Sequence, residues 1–501
     1  MKRFLITALL VLFATAAYAE VKFELTGDFH ARGTFARHQF AAGSDTDFAP
    51  GPFIDSVGAN PAATPDKVSF TYYDGDINLY PKVVYDNTSL TFKLAIRDET
   101  WRDPDGNRLN NDDNIAIERA FLTHKFDNGF ILDAGLMDGQ TWGTAFGDYL
   151  QPRYRVKVTK KTSIGVFGAL VEKMSEFGEA NPTTVNAEKD DWDDFAVFMV
   201  TKVGDIWIKP LIFYVHKSDE LTYTDLGAAD NTALRGYNKP FLSATHGGVN
   251  QIYYSLELSG KLGDDGLAFE SELNYKPIEY TDMRQVGLLS ALGGVYAPYS
   301  AYYNANNAVV YGAYVNVWKT LDAGKFGLLA TYGNWDSKGG ATGQGVGLDT
   351  RDDFCANLIL GDWYAFGGST AEDLLGMTFF KLYAEGVSTG VDKLTVGGSF
   401  GYIFSNQRNS DYNTYNAFGV PTGTATYENP YRGATAMEVD LNVTYAITDN
   451  LAYSIDAGYA KINYDYNGGS ANKLQTDPTL VESWDDPDPL VMVQHKIKFT
   501  F

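Results

Sequence analysis

Val21-Lys22-Phe23-Glu24-Leu25-Thr26-Gly27-Asp28-Phe29-His30-Ala31-Arg32-Gly33-Thr34-Phe35 alternates without a break. Apolar or small side chains fall on one face of an extended chain and polar ones on the other, the period-two signature of a strand with one oily and one wet side. The pattern returns along the whole chain. Leu90, Phe92, Leu94 and Ile96 alternate with Thr91, Lys93, Ala95 and Arg97. Ile252, Tyr254, Leu256 and Leu258 alternate with Tyr253, Ser255, Glu257 and Ser259. Leu267, Phe269 and Leu273 alternate with Glu270, Glu272 and Asn274, and Val439, Leu441, Val443 and Tyr445 with Glu438, Asp440, Asn442 and Thr444. These segments run for roughly ten to fifteen residues, enough for a tilted strand to cross a bilayer. Strands of soluble sandwiches are nearer five or six.

The connections alternate as well. Short turns rich in Gly, Asn and Asp occur at Asp86-Asn87, Asp127-Asn128-Gly129, Val203-Gly204-Asp205, Asp322-Ala323-Gly324 and Thr448-Asp449-Asn450, as tight hairpins require. Between them lie long polar stretches: 37–67, 100–113, 139–151, 174–192, 218–249, 279–306, 335–374, 406–432 and 466–488. Short turns at one end and long loops at the other predict an all-β, antiparallel, up-and-down transmembrane β-barrel. Counting hairpins gives about eighteen strands, with sixteen as the alternative. The segment from Phe354 to Phe366 is strand-like but has no partner in an even count, which places it inside the seventh long loop.

The bulk properties agree. Lys2 and Arg3, the apolar run Phe4 to Ala17 and the small-x-small Ala17-Tyr18-Ala19 read as a secretory signal peptide over 1–19, leaving 20–501 as the barrel. The chain holds 50 Gly, 33 Tyr and 31 Phe, and its formal charge is −23. The charge becomes two units more negative once Lys2 and Arg3 are removed. Such a balance disfavours nucleic acid, whose phosphates need a basic footprint. Cys355 is alone, so no intramolecular disulfide is available, and a closed barrel has no need of one. The six His are scattered, no H-E-x-x-H or G-x-S-x-G pattern occurs, and no enzyme is expected.

The C-terminal run Val491-Met492-Val493-Gln494-His495-Lys496-Ile497-Lys498-Phe499-Thr500-Phe501 resembles the last strand of bacterial outer-membrane porins. That resemblance implies that Phe501 is read by the barrel assembly machinery. The run Gly139-Gln140-Thr141-Trp142 with Phe146 and Asp148 is similar to the corresponding region of DcaP-like and general trimeric porins. There the third loop folds into the barrel and narrows it. The resemblance covers the chain ends and this loop. It implies a homotrimer in the outer membrane of a Gram-negative-type bacterium, in contact with lipid and lipopolysaccharide. It also implies a constriction built from Gln140, Trp142, Phe146, Asp148 and Tyr149.

Lumen-facing phases then name the candidate pore wall. Lys93, Arg97, Arg119, Arg153, Arg155 and Lys157 are its basic side, and Glu257, Glu270, Glu272, Glu438, Asp440 and Asp456 its acidic side. Unpaired, such charges select ions; paired across neighbouring strands, they only solvate a pore. Asp103, Asp105 and Asn107 form a calcium-like fragment, yet Arg108 stands where an EF-hand needs Gly. No cofactor is expected beyond a structural calcium there. The expected function is passive, size- and charge-filtered diffusion of small polar solutes. The alternatives are a specific channel for dicarboxylates or sugars, and a structural or adhesive barrel with an occluded lumen.

Overall fold

The structure, a computed structural model, describes residues 21–38, 68–100, 115–139, 142–147, 151–175, 192–217, 243–263, 266–289, 297–302, 307–337, 346–348, 354–360, 374–415, 421–427, 429, 431–463 and 489–501. The expected signal peptide and the calcium-like fragment Asp103, Asp105 and Asn107 lie outside them, as do Gln140, Asp148 and Tyr149.

In chain order the strands of the ring are β1 (Lys22–His38), β2 (Val68–Tyr85), β3 (Thr88–Thr100), β4 (Ile115–Lys125), β5 (Phe130–Gly139) and β6 (Gln151–Thr162). Next come β7 (Gly165–Ser175), β8 (Trp192–Val203), β9 (Ile206–Lys217), β10 (Ser243–Leu262), β11 (Leu267–Leu289) and β12 (Ala308–Leu321). The last six are β13 (Gly324–Gly333), β14 (Met377–Ser388), β15 (Leu394–Ser405), β16 (Thr435–Ala446), β17 (Leu451–Asn463) and β18 (Leu490–Thr500). Each pairs antiparallel with the next, and β1 pairs with both β2 and β18. The ring is therefore closed with eighteen strands, and the sixteen-strand alternative is excluded. Closure leaves the ring with no unpaired edge, which is the condition for a sheet to sit in hydrocarbon. The nineteenth strand of the sheet, Ala297–Tyr302, pairs only with the outer end of β11.

The alternation does what its period dictates. On β6, Tyr154, Val156 and Val158 are exposed on the outer surface, while Arg155 between them is buried inside. On β16, Val439, Leu441 and Val443 are exposed and Glu438 is fully buried. The outer surface is thus an apolar band made by every second residue, the mark of an outer-membrane β-barrel. One register slip would turn all of a strand's charges toward lipid.

At the seam, the Gly27 amide donates to the Phe501 carbonyl (2.9 Å) and the Phe501 amide to the Gly27 carbonyl (3.0 Å). Phe501 stacks on Phe499 with ring centres 5.7 Å apart. A Cβ at residue 27 would collide with the Phe501 ring, so the glycine makes room for the aromatic.

Inside the ring, Phe354–Leu360 belongs to the connection between β13 and β14 and to no wall strand, as its unpaired count predicts. Its depth is a different matter: Phe354, Ala356, Ile359 and Leu360 are buried. They pack against lumen-facing Val310, Tyr314, Met377, Phe379, Ile403 and Ala436. The apolar core of this protein thus lies within the barrel, between one wall and an infolded loop.

Candidate functional site

Two loops enter the lumen, and each is held by a carboxylate on the inner wall. The third loop, described over Trp142–Gly147, wraps Glu272 of β11. The Thr144 backbone amide and hydroxyl each donate to the Glu272 Oε2 at 2.7 Å. From β10, the Ser255 hydroxyl (3.3 Å) and the Tyr253 hydroxyl (3.4 Å) donate to its other oxygen. Gly143 has φ of +85°, and a side chain at Gly143 or Gly147 would strike the carboxylate. Glycine is what lets the backbone close around the anion.

The seventh loop uses Glu438 of β16 in the same way. Its carboxylate accepts the Ile359 amide (2.6 Å) and the Leu360 amide (2.8 Å). Asp440 accepts the Ser399 hydroxyl (2.9 Å) and the Leu358 amide (3.4 Å). Lys381 donates to the Ala356 carbonyl (2.9 Å). A side chain at lumen-facing Gly401 would overlap Asn357, and one at Gly312 would overlap Leu348.

The loops meet. Phe146 stacks on Tyr314 of β12 (5.7 Å, planes 19° apart) and meets Phe354 edge-on (5.8 Å, 86°). Phe354 is also edge-on to Tyr314 (6.0 Å) and to Phe379 of β14 (6.3 Å). A chain of rings therefore joins both loops to β12 and β14. Trp142, on the other side of the third loop, tilts against Phe198 of β8 at 5.1 Å.

The candidate basic residues are placed in a row, and each described one has a carboxylate neighbour. Lys93 is paired with Glu118. Arg119 donates through Nε to Asp138 at 2.7 Å. Arg155 donates through Nε to Glu172 at 3.0 Å and also pairs with it through its terminal nitrogen. Arg153 stands 4.0 Å from the same carboxylate, and Lys157 is 3.1 Å from Asp133. The backbone of Arg97 lies in β3, and its side chain is outside the described residues. The partners Glu118, Asp133, Asp138 and Glu172 escaped sequence reasoning. Each sits one strand over, in register or nearly so with its cation, as Arg155 does with Glu172, so the pairs become visible only once the register is known.

The candidate acidic residues divide in two. Glu257 pairs with Lys209 at 2.7 Å, Glu270 accepts from Asn316 (3.2 Å) and the Tyr314 hydroxyl, and Asp456 accepts from Asn442. These line the wall. Glu272 and Glu438 are both fully buried, sealed beneath the loops that they hold, with Asp440 beside Glu438.

Beneath the third loop is a cavity of about 250 Å3, walled by Trp142, Phe146, Leu170, Ala196, Phe198, Leu211, Phe213, Val215, Tyr253 and Asn274, with Arg155, Lys157 and Lys276 also lining it. Leu211, Phe213 and Val215 form a buried apolar cluster there with Ala196, and Leu170, Phe198 and Tyr253 pack against it. Among the described residues, no cluster of His, Cys, Asp and Glu is arranged to hold a metal ion.

No protein-family profile matches the chain, and no curated protein does. Among solved structures it is similar to OccK11 (OpdR) of Pseudomonas aeruginosa, at 11% identity over 95% of this chain and 96% of that one, with a TM-score of 0.44. It is also similar to the outer membrane channel DcaP of Acinetobacter baumannii, at 10% identity over 96% and 97%, with a TM-score of 0.41. For OmpT, an outer membrane protein of Vibrio cholerae, the values are 9%, 96%, 98% and 0.38.

Proposed function

We propose that this chain is a passive porin whose lumen is narrowed from two sides by infolded loops, and that it filters small polar solutes by size first. One observation carries the reading: a closed ring with an apolar outer face and a charged, hydrogen-bonded inner wall, into which two loops are drawn by buried carboxylates. Solutes move by diffusion through water, and the chain supplies no chemistry. The pairing of Lys93, Arg119, Arg155 and Lys157 with carboxylates favours a nearly balanced wall over a strong anion filter. By resemblance, the assembly is a homotrimer embedded in lipid and lipopolysaccharide, delivered by a signal peptide and completed by assembly machinery that reads Phe501.

Planar-bilayer recording tests this reading. Purified protein should give stepwise conductance with a small reversal potential in a salt gradient. Arg155→Ala, which leaves Glu172 buried without its main partner, should shift the preference toward cations and cost about 3–5 kcal/mol of stability. The ring-to-ring contact of the two loops favours one second reading, a structural or adhesive barrel with an occluded lumen. A correctly folded protein that never gives current steps would establish that reading and sink the porin.

A further inference from the structure

His124, His216 and His495 face outward from the ring. The first two stand within two residues of a strand end and are hydrogen-bonded, His124 to the Thr88 hydroxyl (2.8 Å) and His216 to the Asn250 side-chain oxygen (2.9 Å). His495 differs on both counts. It sits at the midpoint of β18, five residues from Leu490 and five from Thr500. Among the described residues, neither of its ring nitrogens has a hydrogen-bond partner. Its outward direction follows from the alternation of β18, where Met492 and Gln494 are buried inside and Val493 is exposed. Register places it beside Ile455 of β17 and Gly33 of β1. The ring lies across Gly33, where a Cβ would come within 2.3 Å of His495 Nε2. Tyr73 of β2 meets it edge-on at 5.8 Å, and Tyr453 of β17 tilts against it at 6.1 Å.

Hydrocarbon offers neither donors nor acceptors, so a titratable side chain at mid-membrane is rare and ordinarily pairs with another polar group. The outer face around His495 is also unlike the rest of the ring. Ala31, Gly33, Gly75 and Ala457 share it, whereas β12 to β15 present Val315, Leu328, Leu382 and Phe400 outward. Small side chains let a second membrane protein come near enough for a polar group to bond across the contact.

We propose that the outer face of β17, β18, β1 and β2 is the contact between copies of this chain, with the His495 rings of three copies meeting about a threefold axis. The chemistry selects the occupant. A neutral imidazole has one N–H donor and one bare nitrogen acceptor, so each ring can donate to the next. Three copies close such a circle with every ring nitrogen paired. Two copies form one bond and leave a donor and an acceptor over, and a lipid tail pairs neither. The proposal rests on the membrane-embedded porin reading above and gives its homotrimer a defined face.

The test is the assembly of the full-length protein, read by chemical cross-linking in intact membranes and by sedimentation after extraction in mild detergent. The parent should be a trimer by both. His495→Leu removes both nitrogens and should raise the dissociation constant of each contact about 3- to 20-fold. His495→Gln keeps a donor and an acceptor and should recover most of that loss. Ala31→Trp crowds the face and should give monomers, while Ala330→Trp, outward on β13, should leave the trimer intact. Heat-modifiable gel mobility reports that each variant is folded. A monomeric parent overturns the proposal. So does a trimer that His495→Leu or Ala31→Trp leaves unchanged, one that Ala330→Trp breaks as readily as Ala31→Trp, or a His495→Gln variant as weak as His495→Leu. Bilayer recording on the same preparations separates the two readings. Current steps from a monomer keep the porin and remove the interface; a trimer that depends on His495 and never conducts does the reverse.

Discussion

The third and seventh loops solve the same problem with opposite interiors. Each enters the barrel, and each is fastened by a buried glutamate accepting main-chain N–H groups: Glu272 for Thr144, Glu438 for Ile359 and Leu360. The seventh loop then packs dry, with Phe354, Ile359 and Leu360 sunk into an apolar core shared with β12, β14 and β15. The third loop instead stands off its wall and roofs a cavity. The same fastening thus serves a filler in one place and a lid over a pocket in the other. The difference lies in what the wall offers. Opposite the seventh loop, lumen-facing Gly401 and Gly312 let the Asn357 and Leu348 side chains come close. Opposite the third loop, Phe198, Phe213 and Tyr253 hold it away.

The largest expected effect breaks the comparison on the seventh-loop side. Glu438→Ala leaves the Ile359 and Leu360 amides without acceptors, at about 1–3 kcal/mol for each. The variant should unfold at lower temperature and show a clear rise in single-channel conductance as the segment leaves the lumen. Unchanged conductance would mean that the apolar packing holds the segment unaided. On the third-loop side, Glu272→Ala releases one amide and one hydroxyl, with a smaller stability loss of about 1–3 kcal/mol. Conductance should rise less, because the tethered piece is shorter. A larger rise than in Glu438→Ala would make the third loop the principal narrowing and reverse the ranking. The smallest effect sharpens the link between them. A double-mutant cycle of Phe146→Ala and Phe354→Ala, read by thermal unfolding, should give a coupling of about 0.5–1.5 kcal/mol. Additive losses would show that the rings touch without supporting one another.

Much of this architecture was legible in the chain because a period of two is a local signal. Val21 to Phe35 states which face meets lipid without reference to any other segment. The even strand count, and not the local period, kept Phe354 to Phe366 out of the wall. What could not be read was that this segment turns inward, because infolding is decided by contacts distant in sequence. Glu438 and Glu272 carry the same alternation signal as Glu257, and nothing near them says that two fasten loops while the third pairs with Lys209. One hint was available: a surface loop has no use for Phe354, Ile359 and Leu360 so close together. The basic row was legible as a face but not as a set of pairs, since Glu172 and Asp133 lie on strands whose register had to be known first.

The chain of rings from Phe146 through Tyr314 and Phe354 to Phe379 also bears on how this protein can vary through descent. Two loops that lean on each other cannot drift independently where they touch. A bulkier residue at 146 has to be answered by a smaller one at 354 or 314, whereas positions facing away from the bridge carry no such obligation. The aperture is inherited as one part, although it is encoded in stretches some two hundred residues apart.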